Sequence, residues 1–333
     1  VRLEPAAGKT IVHGVDLDGL PMLKVELSGD YRFSSAYGAA PSGFSPNGRW
    51  LTLVSRDATE SRFAVIDVEK NKLTQTVALG TRFTFDAIHN DATGMYLIEH
   101  PSATSTAYNV RLFDLRTRAL SPGIIFDKTQ IAQFDPTVGI MDGTFHVSVA
   151  PKTGDWSYGL YMRPNGKPFV HALNVPGGYA QCIVDLAGTW TRDSRFAMAL
   201  ADDGRRLYVV DTAGGTVSAI DALTQKVVRT SSFGARTGPG GPGATSAVVS
   251  PDGTRLYATA PRGIAMIQTS DLSVRGWVAP DLAARALAIS ADGARLFALA
   301  ADGVHAVELT SGRDLGVLAP AQGARALHLV TQR

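Results

Sequence analysis

The chain contains seven histidines, the residue type most often used for metal binding and for acid–base catalysis near neutral pH. No two of them have the HxxxH or HExxH spacing, and the single cysteine excludes CxxC pairs, so we predict no metal site formed by sequence neighbours. Of the seven, His100, which follows Glu99 and opens a polar loop, is the best candidate for a functional role, although we predict no catalytic residue. The seven are His13, His89, His100, His146, His171, His305 and His328.

Three of the histidines occupy equivalent positions, each three residues before a polar residue that ends a short apolar segment. Equivalent positions in separate repeats are kept apart by other strands. We therefore expect packing or surface roles for His13, His171 and His305.

The polar residues that end these segments recur seven times and are carboxylates or amides, which raises the hypothesis of a metal-binding ring. Each of them stands next to a turn, where Asp and Asn side chains commonly bind local backbone. We therefore expect them to shape turns instead. They are Asp16, Asp67, Asp114, Asn174, Asp221, Gln268 and Glu308.

Other motifs that suggest chemistry are weak. The segment 238–243 matches GxGxxG, but Pro239 and Pro242 lack the N–H groups that would bind phosphate, and a strand is expected to follow, so we interpret it as a loop between repeats. There is no GxSxG nucleophile motif. Cys182 stands in an expected strand, where we predict an inert, buried thiol and no disulfide.

The spacing of the repeated polar residues indicates which elements position these groups. Successive spacings are 51, 47, 60, 47, 47 and 40 residues, in the range of one four-stranded propeller blade per repeat. The turn Ser250-Pro251-Asp252-Gly253 precedes an alternating strand, and related turns begin at Ser45, Ala201 and Ser290. We predict an all-β, seven-bladed β-propeller with four antiparallel strands per blade.

Ring closure is predicted from the two ends of the chain. The segment 325–330 repeats the first strand of the preceding blade, and the N-terminus supplies the three strands that this last blade lacks, so one blade is shared between the termini. We expect a single domain over residues 1–333. Its blades are predicted at 1–30 with 323–333, 39–80, 84–124, 139–186, 194–234, 244–280 and 284–320.

Composition narrows the classes of partner. A formal net charge of +2 and the lack of long like-charge runs disfavour nucleic acid, and no apolar run is long enough to cross a membrane as a helix. The chain begins at Val1 and not at Met, so we expect that a preceding segment was removed, for which a secretion signal is one candidate.

The segments 250–259 and 207–221 resemble bacterial YVTN-type, WD40-like propeller repeats, and the resemblance covers nearly the whole ring. It implies a fold similar to the propeller subunits of quinoprotein amine dehydrogenases and to propeller lactonases, and it implies an extracytoplasmic location, because many members are exported. Asp211 or Ala260 replaces the Asn of the family tetrapeptide. The repeat motifs specify blades and carry no active-site residues.

Larger loops are expected on the face formed by the connections between blades and between second and third strands, at 55–62, 100–108, 126–143, 162–167, 187–193 and 234–243. Their basic and aromatic side chains suit an anionic group or the rim of a protein interface. The candidate ligand- or partner-binding residues are Arg56, Arg62, His100, Tyr108, Arg163, Lys167, Trp190 and Arg236.

Three functions are compatible with these patterns. The preferred hypothesis is a non-catalytic, extracytoplasmic propeller that binds a protein partner through its loop-rich face, with no cofactor and no catalytic residue predicted. The second is the propeller subunit of a quinoprotein-type redox enzyme. The third is a metal-assisted lyase or lactonase with a small molecule or divalent ion at the central channel.

Overall fold

The computed structural model describes residues 1–16, 20–34, 43–56, 60–80, 82–102, 104–125, 141–186, 194–233, 246–260, 263–320 and 327, with the side chains at 182, 319 and 320 excepted. These residues form 28 β-strands. No helix that is long and apolar enough to cross a membrane occurs among them.

The strands are numbered in chain order. Blades 1 to 3 contain β1 (Arg2–Ala6), β2 (Lys9–Val15), β3 (Pro21–Ser28), β4 (Arg32–Phe33), β5 (Trp50–Arg56), β6 (Glu60–Asp67), β7 (Lys72–Gly80), β8 (Phe83–Ile88), β9 (Gly94–Glu99), β10 (Ala107–Asp114), β11 (Ala119–Leu120) and β12 (Met141–Asp142). Blades 4 and 5 contain β13 (Thr144–Val149), β14 (Trp156–Met162), β15 (Pro168–Asn174), β16 (Tyr179–Asp185), β17 (Phe196–Leu200), β18 (Arg206–Asp211), β19 (Thr216–Asp221) and β20 (Lys226–Ser232). Blades 6 and 7 contain β21 (Ala247–Val249), β22 (Arg255–Thr259), β23 (Ile264–Gln268), β24 (Val274–Val278), β25 (Ala286–Ile289), β26 (Arg295–Leu299), β27 (Gly303–Glu308) and β28 (Arg313–Pro320).

Each blade is an antiparallel meander in which sequence neighbours pair, in the order β13-β14-β15-β16 for blade 4 and likewise in blades 2, 5, 6 and 7. Blade 3 has the order β8-β9-β10-β11, with the short β12 pairing with β10 as well. First strands of successive blades contact one another, as β13 with β17, β17 with β21 and β21 with β25. The first strands therefore surround the central axis, and the predicted seven-bladed, four-stranded architecture is confirmed.

The pattern of burial explains why the middle strands consist of apolar residues. In β18 all residues after Arg206 are buried, because both faces of a second strand pack against neighbouring blades. The outer strand β3 alternates between exposed and buried residues, since only one of its faces packs on the ring. Continuous apolar runs thus mark middle strands, and alternation marks an outer one.

A hydroxyl-centred hydrogen-bond network holds the recurrent turn between first and second strands. The Ser250 hydroxyl donates to Asp252 Oδ1 over 2.5 Å and accepts the Arg255 N–H over 2.9 Å. Gly253 has φ of 71°, in the left-handed region that favours glycine. The turns at Ser45 and Ser290 repeat both hydroxyl contacts. The sequence prediction of a common turn is therefore confirmed.

The packing between blades differs around the ring. Between blades 5 and 6 the core contains many small residues, such as Ala197, Ala199 and Ala258. Between blades 3 and 4 it is aromatic, with Tyr96, Tyr108, Tyr161 and Phe169 fully buried or nearly so. The core between blades 3 and 4 is therefore bulkier than the core between blades 5 and 6.

The N-terminal segment forms the three-stranded sheet β1-β2-β3, as predicted for the incomplete blade. The segment predicted to complete it, 325–330, lies outside the described residues except for Leu327. This side chain packs against a cluster that contains Ala286, Phe297 and Leu299 of blade 7. Closure of the ring through a shared blade stays a prediction.

Candidate functional site

The connections between second and third strands all emerge at one end of the ring, which we call the loop face. Arg56 ends β5 and Arg62 lies in β6, while His100 follows β9, so the fold brings these three predicted residues to adjacent blades. Arg62 forms an ion pair with Glu60 of its own strand. Its charge is therefore neutralised locally.

A basic corner, defined here as Arg56, Arg82 and His100, lies where blades 2 and 3 meet on the loop face. Arg56 Nη2 donates to the carbonyl oxygen of Phe83 over 3.2 Å, and the His100 N–H donates to the carbonyl of Arg82 over 2.9 Å. The Arg82 guanidinium donates to the carbonyl of Pro101. Backbone carbonyls thus position both guanidinium groups without neutralising them.

The basic corner carries positive charge at neutral pH through its arginines and not through its histidine. Partial burial and the nearby charge of Arg56 lower the pKa of His100 below its ordinary value, and the imidazole Nδ1 lies 3.3 Å from the carbonyl oxygen of Ala107. His100 therefore stays neutral at pH 7. Within the described part of the chain, neither Arg56 nor Arg82 forms an ion pair with a carboxylate.

Arg163 and Lys167 lie in the next connection along the loop face, between β14 and β15. Arg163 Nη2 forms an ion pair of 2.9 Å with Asp185, and its guanidinium lies 4.2 Å from the ring centroid of Phe169. Its planar group is held within its own blade by both contacts. Lys167 is exposed.

Tyr108 is placed differently from the loop position that its sequence neighbourhood suggested. It lies in β10 and is fully buried, with its ring stacked on that of Tyr161 at 4.5 Å between centroids. The expected loop ends at residue 108, but β10 already begins at Ala107. Tyr108 therefore lies in a strand, and its side chain is buried in the core. Its side chain is thus not exposed to a partner at the loop face.

Trp190 and Arg236 lie outside the described residues, as does the whole GxGxxG segment.

Five of the seven repeated polar residues bind local backbone at turns, as predicted: Asp16, Asp67, Asp114, Asn174 and Asp221. Asp114 Oδ1 accepts the N–H groups of Arg116 and Thr117 over 2.8 and 3.0 Å, and Asn174 Oδ1 accepts that of Gly177 over 2.8 Å. Such local contacts satisfy backbone donors at the turn. Among the described residues no group of three His, Cys, Asp or Glu side chains is arranged to hold a metal ion.

The three histidines at equivalent third-strand positions do not meet. His305 lies between two carboxylates, with Nδ1 2.8 Å from Asp314 and Nε2 3.0 Å from Asp302. Burial alone lowers the pKa of His305, but the two carboxylates outweigh it and the pKa is raised. His13 contacts Glu4 at 3.1 Å, and His171 is buried near Tyr161. The prediction that strands keep these three histidines apart is confirmed.

A cavity of about 300 Å³ occupies the central axis. Its walls come from the first strands of several blades, with Phe85 and Asp86 from blade 3, Ser148 from blade 4 and Met198 from blade 5. The first strands line it because they are the innermost element of every blade. Concave, mostly apolar cavities of this kind are the usual place for small-molecule sites.

Among the described residues, Asp86 is the one carboxylate in the wall of this cavity. It occupies a bulge in β8, where Phe85 pairs with Leu97 and Ala87 with Tyr96, so the extra residue between them leaves the regular ladder. Asp86 is only 5% exposed, and burial raises the pKa of its carboxyl group to about 7. A carboxyl so far from its ordinary pKa marks a candidate functional group.

Three buried tyrosines lie close enough to Asp86 for its charge to act on them. Burial and the negative charge of Asp86 raise the pKa of Tyr96 to about 12, and the pKa values of Tyr108 and Tyr161 lie well above 10 for the same reasons. The Tyr96 hydroxyl donates to the carbonyl of Val175 over 2.6 Å, whereas the hydroxyls of Tyr108 and Tyr161 lie near each other but make no well-formed hydrogen bond among the described residues. Buried hydroxyls without a well-formed hydrogen bond are uncommon in folded proteins.

Sequence reasoning missed Asp86. The available signal was a single acid inside the otherwise apolar strand Phe83–Ile88, a position where an unpaired carboxylate is costly. The equivalent bulge in β13 contains another titratable residue, His146, whose pKa is lowered to about 4 by burial. Two neighbouring blades therefore place an ionisable group at the same kink of the innermost strand.

Comparisons with known proteins identify the fold. No protein family model and no curated protein sequence matches the chain. Its structure is similar to Kuenenia stuttgartiensis hydrazine synthase, with a TM-score of 0.50 and 14% identity over 85% of this chain and 80% of that one. It is also similar to the Myceliophteria thermophila Cps50 (Swd1) β-propeller domain, with a TM-score of 0.53 and 13% identity over 86% of this chain and 87% of that one.

A third similar structure is Kluyveromyces lactis Hsv2, with a TM-score of 0.53 and 9% identity over 84% of this chain and 74% of that one. Identities this low leave function open, because a propeller fold serves many unrelated functions. The chain has the seven-bladed, WD40-like β-propeller fold.

Proposed function

We propose that this protein is a non-catalytic, extracytoplasmic β-propeller that binds an acidic segment of a protein partner through the loop face of blades 2 to 4. The observation that carries the proposal is the basic corner. Arg56 and Arg82 are exposed there, and both are positioned by backbone carbonyls.

Other arginines on the loop face differ from Arg56 and Arg82 because they are paired with carboxylates. Arg62, Arg111 and Arg163 each pair with a carboxylate of their own blade, Glu60, Glu99 and Asp185. Their charges are neutralised, whereas the field of the basic corner extends into solvent and attracts acidic groups. Arg is also enriched at protein interfaces, where its fork of donors matches a carboxylate.

The extracytoplasmic part of the proposal is supported by the repeat motifs, which resemble those of propellers exported from bacterial cells. Fractionation of the native host tests this directly. We expect the protein in the envelope or the medium, and recovery from the cytosol alone would contradict that location.

The partner-binding part is tested by mild crosslinking in the native host, affinity purification and mass spectrometry. We expect a stoichiometric partner whose affinity falls by about tenfold or more in the double variant Arg56→Ala, Arg82→Ala. The matched control is Arg206→Ala, because Arg206 pairs with Asp221 over 3.0 Å at the opposite end of its blade. Equal loss in both variants, or recovery of the protein alone, would contradict the proposal.

The same eluate addresses the two enzyme hypotheses. Quinone or haem absorption in a co-purified partner would favour the redox-subunit hypothesis. A bound divalent ion, with turnover that disappears in His100→Ala, would favour the metal-assisted lyase.

A further inference from the structure

The carboxyl group of Asp86 has no counterion in the part of the chain that the structure describes. It is 5% exposed, forms no hydrogen bond or ion pair with the residues described, and the only cause that acts on its pKa is burial. Removing a carboxylate from water without a partner is unfavourable by several kcal/mol in general. A ligand that supplies the missing positive charge would relieve this penalty.

The cavity beside Asp86 has walls that suit an organic molecule. Its volume of about 300 Å³ lies at the lower end of the range for small-molecule sites. Phe44, Phe85 and Trp156 contribute aromatic surface, and Ser148 and Ser157 contribute hydroxyl groups. One charged group, a few hydroxyls and several rings form the usual composition of a pocket that orients a mostly apolar ligand.

We propose that the central cavity binds a small organic ammonium ion, whose N–H groups donate to the carboxylate of Asp86 while its apolar part packs against Phe85 and Trp156. This site is separate from the basic corner, and the proposal does not depend on the partner-binding function. Because the single carboxylate neutralises one positive charge, we expect one ammonium ion per cavity.

The chemistry of the walls favours an ammonium ion over other ligands. A calcium ion needs six to eight oxygen ligands and a zinc ion three or four nitrogen, sulfur or oxygen ligands, whereas the described wall offers one carboxylate. No three-residue ligand group is found among the described residues. Aromatic faces attract an organic cation through their quadrupole, and its N–H groups bind a carboxylate strongly.

The groups that face Asp86 leave its charge uncompensated near neutral pH. Tyr96 of β9, Tyr108 of β10 and Tyr161 of β14 all have pKa values raised above 10 and are neutral. His146 of the neighbouring strand β13 has a pKa lowered to about 4 and is neutral above pH 6. The ionisation of Asp86 near pH 7 therefore controls cation binding.

The test uses phenethylammonium and butylammonium chlorides, with 2-phenylethanol as the neutral isostere, in calorimetric or NMR titrations of the whole protein at pH 8. We expect at least one ammonium to bind, with phenethylammonium about tenfold or more tighter than the alcohol. Its affinity should rise about tenfold from pH 6 to pH 8, since the fraction of ionised Asp86 rises by that factor around a pKa of about 7.

Asp86→Asn is the decisive variant, because it keeps the volume and removes the charge. We expect the preference for phenethylammonium over the alcohol to fall to about threefold or less, while Asp202→Asn, which changes an exposed carboxylate on blade 5, keeps it. Circular dichroism confirms that both variants are folded. A retained preference in Asp86→Asn, equal binding of ammonium and alcohol to the wild type, or no ammonium binding at pH 8 would overturn the proposal.

Discussion

The first and second strands pair differently in blades 5 to 7 and in blades 3 and 4. In blades 5 to 7 the first and second strands pair without any register shift. In blades 3 and 4 the same pair is interrupted by a bulge, whose extra residues are Asp86 and His146. The bulge turns an ionisable side chain out of the regular ladder at the innermost strand.

The two regions also differ in what they bury. Small side chains such as Ala197 and Ala258 fill the spaces between blades 5 and 6, whereas Tyr108 and Tyr161 lie between blades 3 and 4 with hydroxyls that make no well-formed hydrogen bond among the described residues. Buried polar groups without partners reduce stability. A fold that departs from its own repeat at a cost in stability is more often explained by function than by packing, and this favours blades 3 and 4 as the functional part of the ring.

The largest effect expected from this comparison is a change in the free energy of unfolding when Asp86 is replaced. Its pKa of about 7 lies above the unfolded value of 3.8, so ionisation destabilises the native state as pH rises from about 4 and the penalty is complete above pH 7. Asp86→Asn should raise the free energy of unfolding by up to about 4 kcal/mol at pH 8 and by less than about 1 kcal/mol at pH 4.

Urea unfolding at the two pH values measures this difference. Asp202→Asn serves as the control, since its side chain is 59% exposed and should change stability little at either pH. If Asp86→Asn were destabilising at pH 8, the carboxylate would have a partner in the native protein.

The next effect distinguishes satisfied from unsatisfied hydroxyls within the aromatic boundary. Tyr96→Phe removes the 2.6 Å hydrogen bond to the Val175 carbonyl and should lower the free energy of unfolding by about 1–3 kcal/mol. Tyr161→Phe removes a hydroxyl that makes no well-formed hydrogen bond among the described residues and should be neutral or stabilising by about 1 kcal/mol. Equal losses in thermal or urea unfolding would show that both hydroxyls are satisfied.

The regular blades provide a smaller effect at their repeated turn. Ser250→Ala removes the hydroxyl that accepts the Arg255 N–H over 2.9 Å and should lower the free energy of unfolding by about 1 kcal/mol. Ser290→Ala should lower it by a similar amount, because the same contact to Arg295 is 2.9 Å long. A much larger loss at one of the two sites would show that the blades are not energetically equivalent.

The smallest expected effect comes from adding a hydroxyl to the turn of blade 5, the one regular turn that lacks it. In blade 5 the turn keeps its backbone bonds, with Ala201 N–H donating to the Arg206 carbonyl over 2.9 Å, but the methyl group of Ala201 cannot accept the Arg206 N–H. Ala201→Ser should therefore raise the free energy of unfolding by about 0.5–1 kcal/mol. A loss of stability would mean that the buried methyl group contributes more by packing.

Features that depend on short segments could be predicted from the sequence. The alternating strand expected after the turn at Ser250 is β22 (Arg255–Thr259), and several of the polar residues that end third strands accept local backbone N–H groups, as Asp221 does from Thr224. Hydrophobic alternation and turn residues specify both, because each depends on neighbours in the chain.

Features that depend on contacts between blades could not. Tyr108 is expected in the loop 100–108, yet it is buried against Tyr161 and Phe169 of the next blade. Arg82 was not singled out, although its position beside Arg56 and His100 forms the basic corner. A single chain segment does not record which distant segment packs on it.

The sequence by itself determined the number of blades, the strand order and the turns, since the repeat spacing and local hydrogen-bonding residues act within about 50 residues. Only the tertiary structure decided which polar groups lie together and which lose their contact with water. Asp86 shows the reason: its pKa of about 7 arises from burial among strands of blades 3 and 4, and burial is a property of the packed ring.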